Sequence, residues 1–506
     1  MQNHAHGRHH SLIHASLASL LLLIGTGLAA AAPQSALAAD QAAIDASALG
    51  KSIVDHINRD TPDAMRLWAP KLFSDAMDAG DRADAIKRLV ASVRESGGLD
   101  ILESGSAPGQ PGVAMLEVKS RRTGKQAMMI LTADEKRAGT LIGADLVPME
   151  DPARYANWPA ALSSLHQLPD LIDPVLASLV KDKEFSGCIT VSNGKEAVYN
   201  ACRGLADRNQ GTPVGQQTRF HIGSMNKMFT AVAIAQLVEA GKLSWHASVA
   251  DVLPDYPDQA TARKMTVWQL LHHTAGLGDY FVPEFFAHRE QFVNPADYLP
   301  LIAKQTRVGE PGEQWIYSNA GYILLGRIIE RLTDQSYFDY IQAHIFAPAG
   351  MSASGYDSQE DITPDLAVGY FHETPFSTSW KANWMTLPFK GSPAGGGYSN
   401  NADLLRFAAA LKHGKLIQSH TLTQMFDNQV PAGPGGYAAG FGDREHAGRH
   451  IRGHAGGAPG MTANLAMVWG TGLSVAITSN QGDDQETMIL AERIADVLAA
   501  SPLSAR

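Results

Sequence analysis

The chain has 506 residues and a formal net charge of −10, with 45% apolar residues. That length supports two or more domains, each with its own core, and the acidic balance argues against a partner that is nucleic acid or an anionic membrane surface. Only Cys188 and Cys202 are present, too few for a fold held together by disulfides.

In chain order, Arg8 is followed by an apolar run centred on Leu20-Leu-Leu-Leu-Ile24, then by small residues and an A-x-A site at Ala36-Leu-Ala38. This pattern predicts that residues 1–38 are a signal peptide cleaved near Ala38, leaving a periplasmic or secreted chain with no stable membrane anchor. Residues 40–150 predict a small α+β domain. Helical patterns cover Ala43 to Asp60 and Asp81 to Glu95, and Gly97-Gly98 ends the second. Strand-like runs follow at Gly112–Val118, Gln126–Leu131 and Leu141–Val147. Helices first and a meander after them resemble an NTF2-like fold. No titratable constellation appears in this stretch, so an accessory role, including homo-oligomerisation, is expected of it.

A linker from Pro148 to Pro159 precedes the second domain, residues 160–500. Its helix Leu168–Val180 leads into strands Gly187–Ser192 and Glu196–Gly204. At the far end come strand-like runs at Ile451–Gly453, Ala463–Gly470 and Leu473–Ser479, then the helix Thr487–Ala499. Strands from both ends of the domain with helical material between them predict an α+β architecture. It is an antiparallel sheet flanked by its terminal helices and carrying a largely helical insertion. Asn193-Gly194 predicts a two-residue hairpin turn. With that turn, Cys188 opposes Tyr199 rather than Cys202, and the two sulfurs fall on opposite sheet faces. The expectation is therefore no disulfide, unless a bulge or a longer loop shifts the register.

Three stretches match S-x-x-K: Ser178–Lys181, Ser192–Lys195 and Ser224–Lys227. The first lies on an amphipathic helix with a solvated lysine end, and the second flanks the hairpin turn. Only Ser224 opens an apolar helix, Met228 to Val238, with Gly241 as its stop. One helical turn places Lys227 on the same face as Ser224. A serine hydroxyl needs a neighbouring base to act as a nucleophile, and an amine can be that base where burial and a helix N-terminus disfavour its charged form.

Two more segments stand out: Tyr317-Ser-Asn319 before the apolar helix Ala320–Leu332, and His454-Ala-Gly456 at the end of a short strand. With Phe220-His-Ile-Gly-Ser-Met-Asn-Lys227 they resemble the three ordered motifs of the serine β-lactamase and penicillin-binding protein superfamily. The branch is that of class C-like β-lactamases, DD-carboxypeptidases, D-amino-acid amidases and esterases. Leu270–Leu277 and Gly395–Phe407 resemble further segments of the family. Tyr155-Ala-Asn157 and Tyr398-Ser-Asn400 also match Y-x-N, but one precedes the nucleophile and the other sits in a Gly-rich turn, so Tyr317 is preferred.

The resemblance implies a β-lactamase/transpeptidase-like fold and acyl transfer through a covalent ester on Ser224. Lys227 takes the Ser224 proton, and Tyr317 relays a proton to the leaving group. Asn319 orients the site and binds the substrate amide, and backbone N–H groups of Ser224 and Gly457 form the oxyanion hole beside the small residue Gly456. His454 replaces the cationic lysine of K-T-G and is mostly neutral near pH 7, which weakens the expectation of carboxylate recognition. Arg452, two residues earlier on the same strand face, is a candidate for the missing charge. His272 and His273 are adjacent and do not converge on one ion, so no metal site and no cofactor are expected. His221 is read as structural. The absence of G-x-S-x-G argues against an α/β-hydrolase. The expected substrate is a small molecule or a peptidoglycan-derived ester or amide; the alternative is a penicillin-binding or receptor-like protein that uses the cleft without turnover.

Overall fold

The computed structural model describes residues 36–503 apart from 78, 108–109, 306, 434 and 483–484. The signal peptide expected at residues 1–38 thus falls almost entirely outside the described residues. No helix among the described residues is long and apolar enough to cross a membrane.

The described chain forms two compact units. One comprises the residues before Asp151 together with Tyr370–Ala382; the other comprises Pro152–Gly369 and the chain from Asn383 onward. In the first, helices α1 (Ala36–Arg59), α2 (Pro62–Trp68) and α3 (Ala79–Glu95) precede an antiparallel meander of β1 (Leu99–Ala107), β2 (Gln110–Ser120), β3 (Gln126–Ala133) and β4 (Leu141–Pro148). Alternate residues of β3, Ala127, Met129, Leu131 and Ala133, face a core shared with Ile53, Val54, Ile57 and Leu89 of the helices. That alternation is what a sheet with one covered face requires. Phe376, at the tip of the hairpin Tyr370–Phe371/Lys381–Ala382, is fully buried in this same core. The hairpin is held further by Ser377 and Thr374 donating to Glu95, and by Glu373 receiving Arg94 and Lys381.

The second unit is built on a sheet of eight strands among the described residues. They are β5 (Gly187–Ser192), β6 (Ala197–Arg203), β9 (Val430–Ala432), β10 (Gly435–Ala438), β11 (Phe441–His446), β12 (Arg449–Ala458), β13 (Met461–Val468) and β14 (Leu473–Ser479). They are antiparallel throughout, in the order β9-β10-β11-β12-β13-β14-β5-β6. The short strands β7 (Phe220–His221) and β8 (Tyr398–Ser399) pair with each other outside it. Every residue of β5, β13 and β14 is buried, so neither face of these strands meets solvent.

Both faces of the sheet are covered, and successive residues serve different cores. Val475 and Ile477 pack with the terminal helices α4 (Leu168–Lys181) and α7 (Gln485–Ala500), while Ala476 faces the helical insertion. That insertion is centred on α5 (Asn226–Glu239) and α6 (Asn319–Thr333). The expected antiparallel sheet with terminal helices and a helical insertion is what forms.

The cysteines depart from expectation. Val191 opposes Tyr199 but Ser192 opposes Ala197, a bulge that brings Cys188 directly opposite Cys202, and the two form a disulfide. A loop longer than two residues at Asn193–Glu196 replaces the predicted tight turn, and with it the register that separated the sulfurs.

Candidate active site

Ser224 lies in a single 3-10 turn, Gly223–Met225, that leads into α5. All but three residues of α5 are buried, which accounts for an apolar run without a polar face. Ser224 is partly exposed at the mouth of the turn, whereas Lys227, one turn inward, is fully buried. The Lys227 Nζ lies 2.7 Å from Asn319 Oδ1, 2.6 Å from the Ala394 carbonyl oxygen and 3.1 Å from Ser224 Oγ. The two carbonyl oxygens can only accept, so they take two N–H groups. In the neutral amine the remaining direction is the lone pair, and it faces the Ser224 hydroxyl. Burial pulls the Lys227 ammonium down to about 7, against the upward pull of Asp279. The pair can thus move a proton from oxygen to nitrogen at neutral pH.

Tyr317-Ser-Asn319 enters α6 from the opposite side. Ser318 caps the helix, its Oγ accepting the Gly321 N–H, while its own N–H donates to His273 Nδ1 at 3.1 Å and its hydroxyl to the Gly278 carbonyl at 2.8 Å. These bonds leave the flanking side chains facing Ser224 and Lys227. The Tyr317 ring lies 4.8 Å from Lys227 Nζ and its hydroxyl bonds to Ser224. Burial pushes the phenol well above its ordinary range, so it is a proton donor at neutral pH and not a resting phenolate. The His273 ring lies 4.3 Å from that of Tyr317, tilted by 35°, and is held neutral by burial; the His272 Nδ1–H donates to the Trp268 carbonyl at 2.8 Å. Both histidines pack and position.

Strand β12 closes the third side. Ideal Cβ atoms show how close it comes: one on Gly456 would lie 1.9 Å from the Ile222 carbonyl oxygen and 3.0 Å from Ser224 N, and one on Gly223 would lie 3.0 Å from Gly457 N. Only glycine lets the strand and the nucleophile turn approach this closely, and the expected oxyanion donors, Ser224 N and Gly457 N, flank that contact. His454 shares a hydrogen bond between Nε2 and the Tyr437 hydroxyl at 3.0 Å, and its Nδ1 contacts the Ala455 carbonyl. Burial and the neighbouring Lys227 push its pKa down to about 3, so it carries no charge.

Arg452 does not supply one either. Its Nε donates to the buried Asp443 carboxylate at 2.8 Å, and its guanidinium lies 4.4 Å from the Phe426 ring centre and 5.1 Å from that of Trp469. These partners account for the side chain, and none is shared with Ser224, Lys227, Tyr317 or Asn319. The reason is cross-strand register: Arg452 opposes Asp443 on β11.

The Gly-rich segment backs the Ser224 turn. Ala394 receives Lys227, Gly397 N–H donates to Asn226 Oδ1 at 2.9 Å, and Tyr398 pairs with His221. Tyr398 is thereby committed to the β7–β8 ladder, and Tyr155 is buried with the terminal helices. His221 faces Asp357 at 3.3 Å. The sequence reading missed two groups beside these side chains: the Ala394 carbonyl, which receives Lys227, and Asp279, whose Oδ2 accepts Asn319 Nδ2 at 2.6 Å. Asp279 lies two residues beyond Leu277, the end of a segment whose family resemblance was noted, and that proximity was the available signal.

A buried amine poised against a serine at a helix N-terminus, a phenol over both, and a glycine strand alongside define a serine hydrolase of the β-lactamase and transpeptidase fold class. Comparison with known proteins agrees. The beta-lactamase family model matches residues 172–499, and the chain belongs to that family. It is 29% identical over 334 residues to penicillin-binding protein 4* of Bacillus subtilis, covering 62% of this chain and 72% of that protein. It is 30% identical over 225 residues to esterase EstB of Burkholderia gladioli, covering 42% and 55%. A penicillin-binding protein from Bacillus halodurans has a solved structure with a TM-score of 0.57 and 29% identity, covering 63% of this chain and 98% of that one. D-amino acid amidase from Ochrobactrum anthropi SV3 gives 0.56 and 25%, covering 63% and 94%.

Proposed function

We propose that this is an exported serine hydrolase that cleaves esters or amides through a Ser224 acyl-enzyme and prefers acyl donors without a carboxylate. One observation carries the preference: the third-motif strand presents no fixed cation, because His454 is neutral and Arg452 is paired with Asp443. In acylation, Lys227 takes the Ser224 proton as Oγ attacks the carbonyl carbon. The oxyanion is received by the N–H groups of Ser224 and Gly457, and Tyr317 passes a proton to the departing oxygen or nitrogen. Water then attacks the ester carbonyl, giving up its proton to the Lys227–Tyr317 pair, which returns it to Ser224 Oγ as the ester C–O bond breaks, releasing the carboxylic acid. Asn319 holds Lys227 and offers its carboxamide to the substrate amide. Export is supported by the leader-like N-terminus and by the Cys188–Cys202 disulfide, which forms in oxidising compartments. An accessory or assembly role is proposed for residues 40–150.

The test uses the mature chain with a p-nitrophenyl ester, a D-amino-acid amide, a nitrocefin-type lactam and a D-Ala-D-Ala peptide, beside Ser224→Ala. Turnover of the ester or the D-amino-acid amide, neither of which carries a carboxylate, above the two carboxylate-bearing substrates, lost in Ser224→Ala, is expected. Activity that survives in the alanine variant refutes the mechanism. A lactam adduct detected by mass without turnover of any substrate supports the penicillin-binding alternative instead.

A further inference from the structure

Asp279 has no part in the steps above, yet a single residue, Asn319, links it to the base. Its Oδ1 accepts the Tyr280 N–H at 2.7 Å and its Oδ2 accepts Asn319 Nδ2 at 2.6 Å. The other end of the same carboxamide, Oδ1, receives Lys227 Nζ at 2.7 Å. The loop that carries Asp279 is fixed independently. The Ser318 hydroxyl holds the Gly278 carbonyl. The Val308 and Gly312 N–H groups donate to the Gly276 and Thr274 carbonyls, and the Ile316 N–H to that of His273. Gly276 adopts φ +69°, where an added Cβ would lie 2.1 Å from the Gly309 carbonyl oxygen. The loop therefore grips both ends of the Tyr317-Ser-Asn319 segment and presents its carboxylate to the far side of Asn319.

A carboxamide has two nearly isosteric orientations. A carboxylate only accepts, so it selects the one that turns NH2 toward Asp279 and the carbonyl toward Lys227. In the opposite orientation, Nδ2 would face Nζ, donor against donor. Lys227 would then lose one of the two acceptors that fix its N–H groups, and its lone pair would no longer be aimed at Ser224 Oγ. We propose that Asp279 is a positioning residue of the acylation step: it locks the Asn319 carboxamide and, as the carboxylate that Asn319 links to the base, stabilises the ammonium that forms when Lys227 takes the Ser224 proton. The inference rests on Ser224 being the nucleophile and Lys227 its base.

The groups facing Lys227 are Asp279, Tyr317, Tyr322, His273 and His454; those facing Asp279 are Lys227, Asn319, Tyr280 and Tyr317. Both histidines are held neutral and the tyrosines are pushed up by burial; burial also raises the Asp279 carboxyl, against the Asn319 and Tyr280 N–H groups and the Lys227 charge that favour its ionised form. Within this set, Asp279 is the group whose charge raises the basicity of Lys227.

The experiment measures the rate of Ser224 modification by a fluorophosphonate probe from pH 5 to 9, in wild type, Asp279→Asn and Asp279→Ala, with a thermal melt of each. Asp279→Asn keeps an oxygen that can accept from Asn319 and removes the charge. Its acid limb is expected to move to lower pH, because a group that raised the Lys227 pKa has gone, and its plateau rate to fall about tenfold. Asp279→Ala also releases the carboxamide, and the plateau is expected to fall about a hundredfold, a scale typical of a misaligned base. A purely structural Asp279 could lower the melting temperature but would not move the limb. Plateau and limb unchanged in Asp279→Asn overturn the inference, and that variant decides alone if Asp279→Ala does not fold. An inert wild type would instead count against the Ser224 nucleophile, so the two failures are distinct.

Discussion

The pH dependence of acylation is the sharpest expectation from this site. A lysine at its ordinary value of 10.5 is neutral at pH 7 in about one molecule in three thousand, too few to serve as a resting base. Burial of Lys227 brings the value to about 7, so about half the enzyme is competent at that pH. Because the amine acts in its neutral form, activity is present above the limb and lost as pH falls through it. kcat/KM for a neutral ester should fall about tenfold per pH unit below 7, to about 1% of the plateau at pH 5. The histidines facing the amine do not contribute within this window, since His454 sits near 3 and His273 well below its ordinary range. Pre-steady-state acylation from pH 5 to 9 reads the limb directly, and Tyr317→Phe should lower the plateau while leaving the limb in place. A profile flat down to pH 5.5, or a limb above pH 9, would refute the claim that burial tunes this lysine.

Three further outcomes are expected. Gly456→Ala puts a Cβ 1.9 Å from the Ile222 carbonyl and should cut acylation by about a hundredfold or more by moving the oxyanion strand, with the far-ultraviolet dichroism of the folded protein unchanged. Arg452→Ala leaves the buried Asp443 carboxylate with the His450 ring at 2.7 Å in place of its guanidinium partner; urea titration should show a loss of about 3 kcal/mol, while the ratio of kcat/KM for acidic and neutral substrates stays as in wild type. The disulfide links residues separated by 14 positions, so the Cys188→Ala/Cys202→Ala variant should lose about 3 kcal/mol of stability by the same titration and retain its esterase kinetics.

Ser224 and Lys227 are legible because helix geometry is local: spacing, an apolar run and a glycine stop suffice to place them. Tyr317, Asn319 and the β12 glycines are legible through order and resemblance, since no periodicity links residues so far apart in sequence. Asp279 is not, because its placement depends on backbone bonds to residues 308–318 that leave no pattern in the sequence. Strand β1 escaped notice because most of its positions are exposed, so it lacks the apolar alternation that marks β3. The cysteine pairing failed on one bulge at Val191/Ser192, a reminder that cross-strand arithmetic is only as good as the assumed turn. Arg452 shows the converse. The strand period was applied correctly, but no count along β12 reveals the carboxylate waiting on β11.

The burial of Phe376 in the core of the N-terminal unit bears on the order in which the protein can mature. That unit is synthesised first, yet its interior lacks a side chain that is not made until more than two hundred residues later. A nascent chain ending before Tyr370 therefore exposes an unfilled gap in a finished-looking helix-and-meander unit, and completion must await most of the hydrolase sequence. Any agent that holds or shields the early unit during translation or translocation would act in that interval. A clone cut after residue 150 would release a protein frozen at the same unfinished stage.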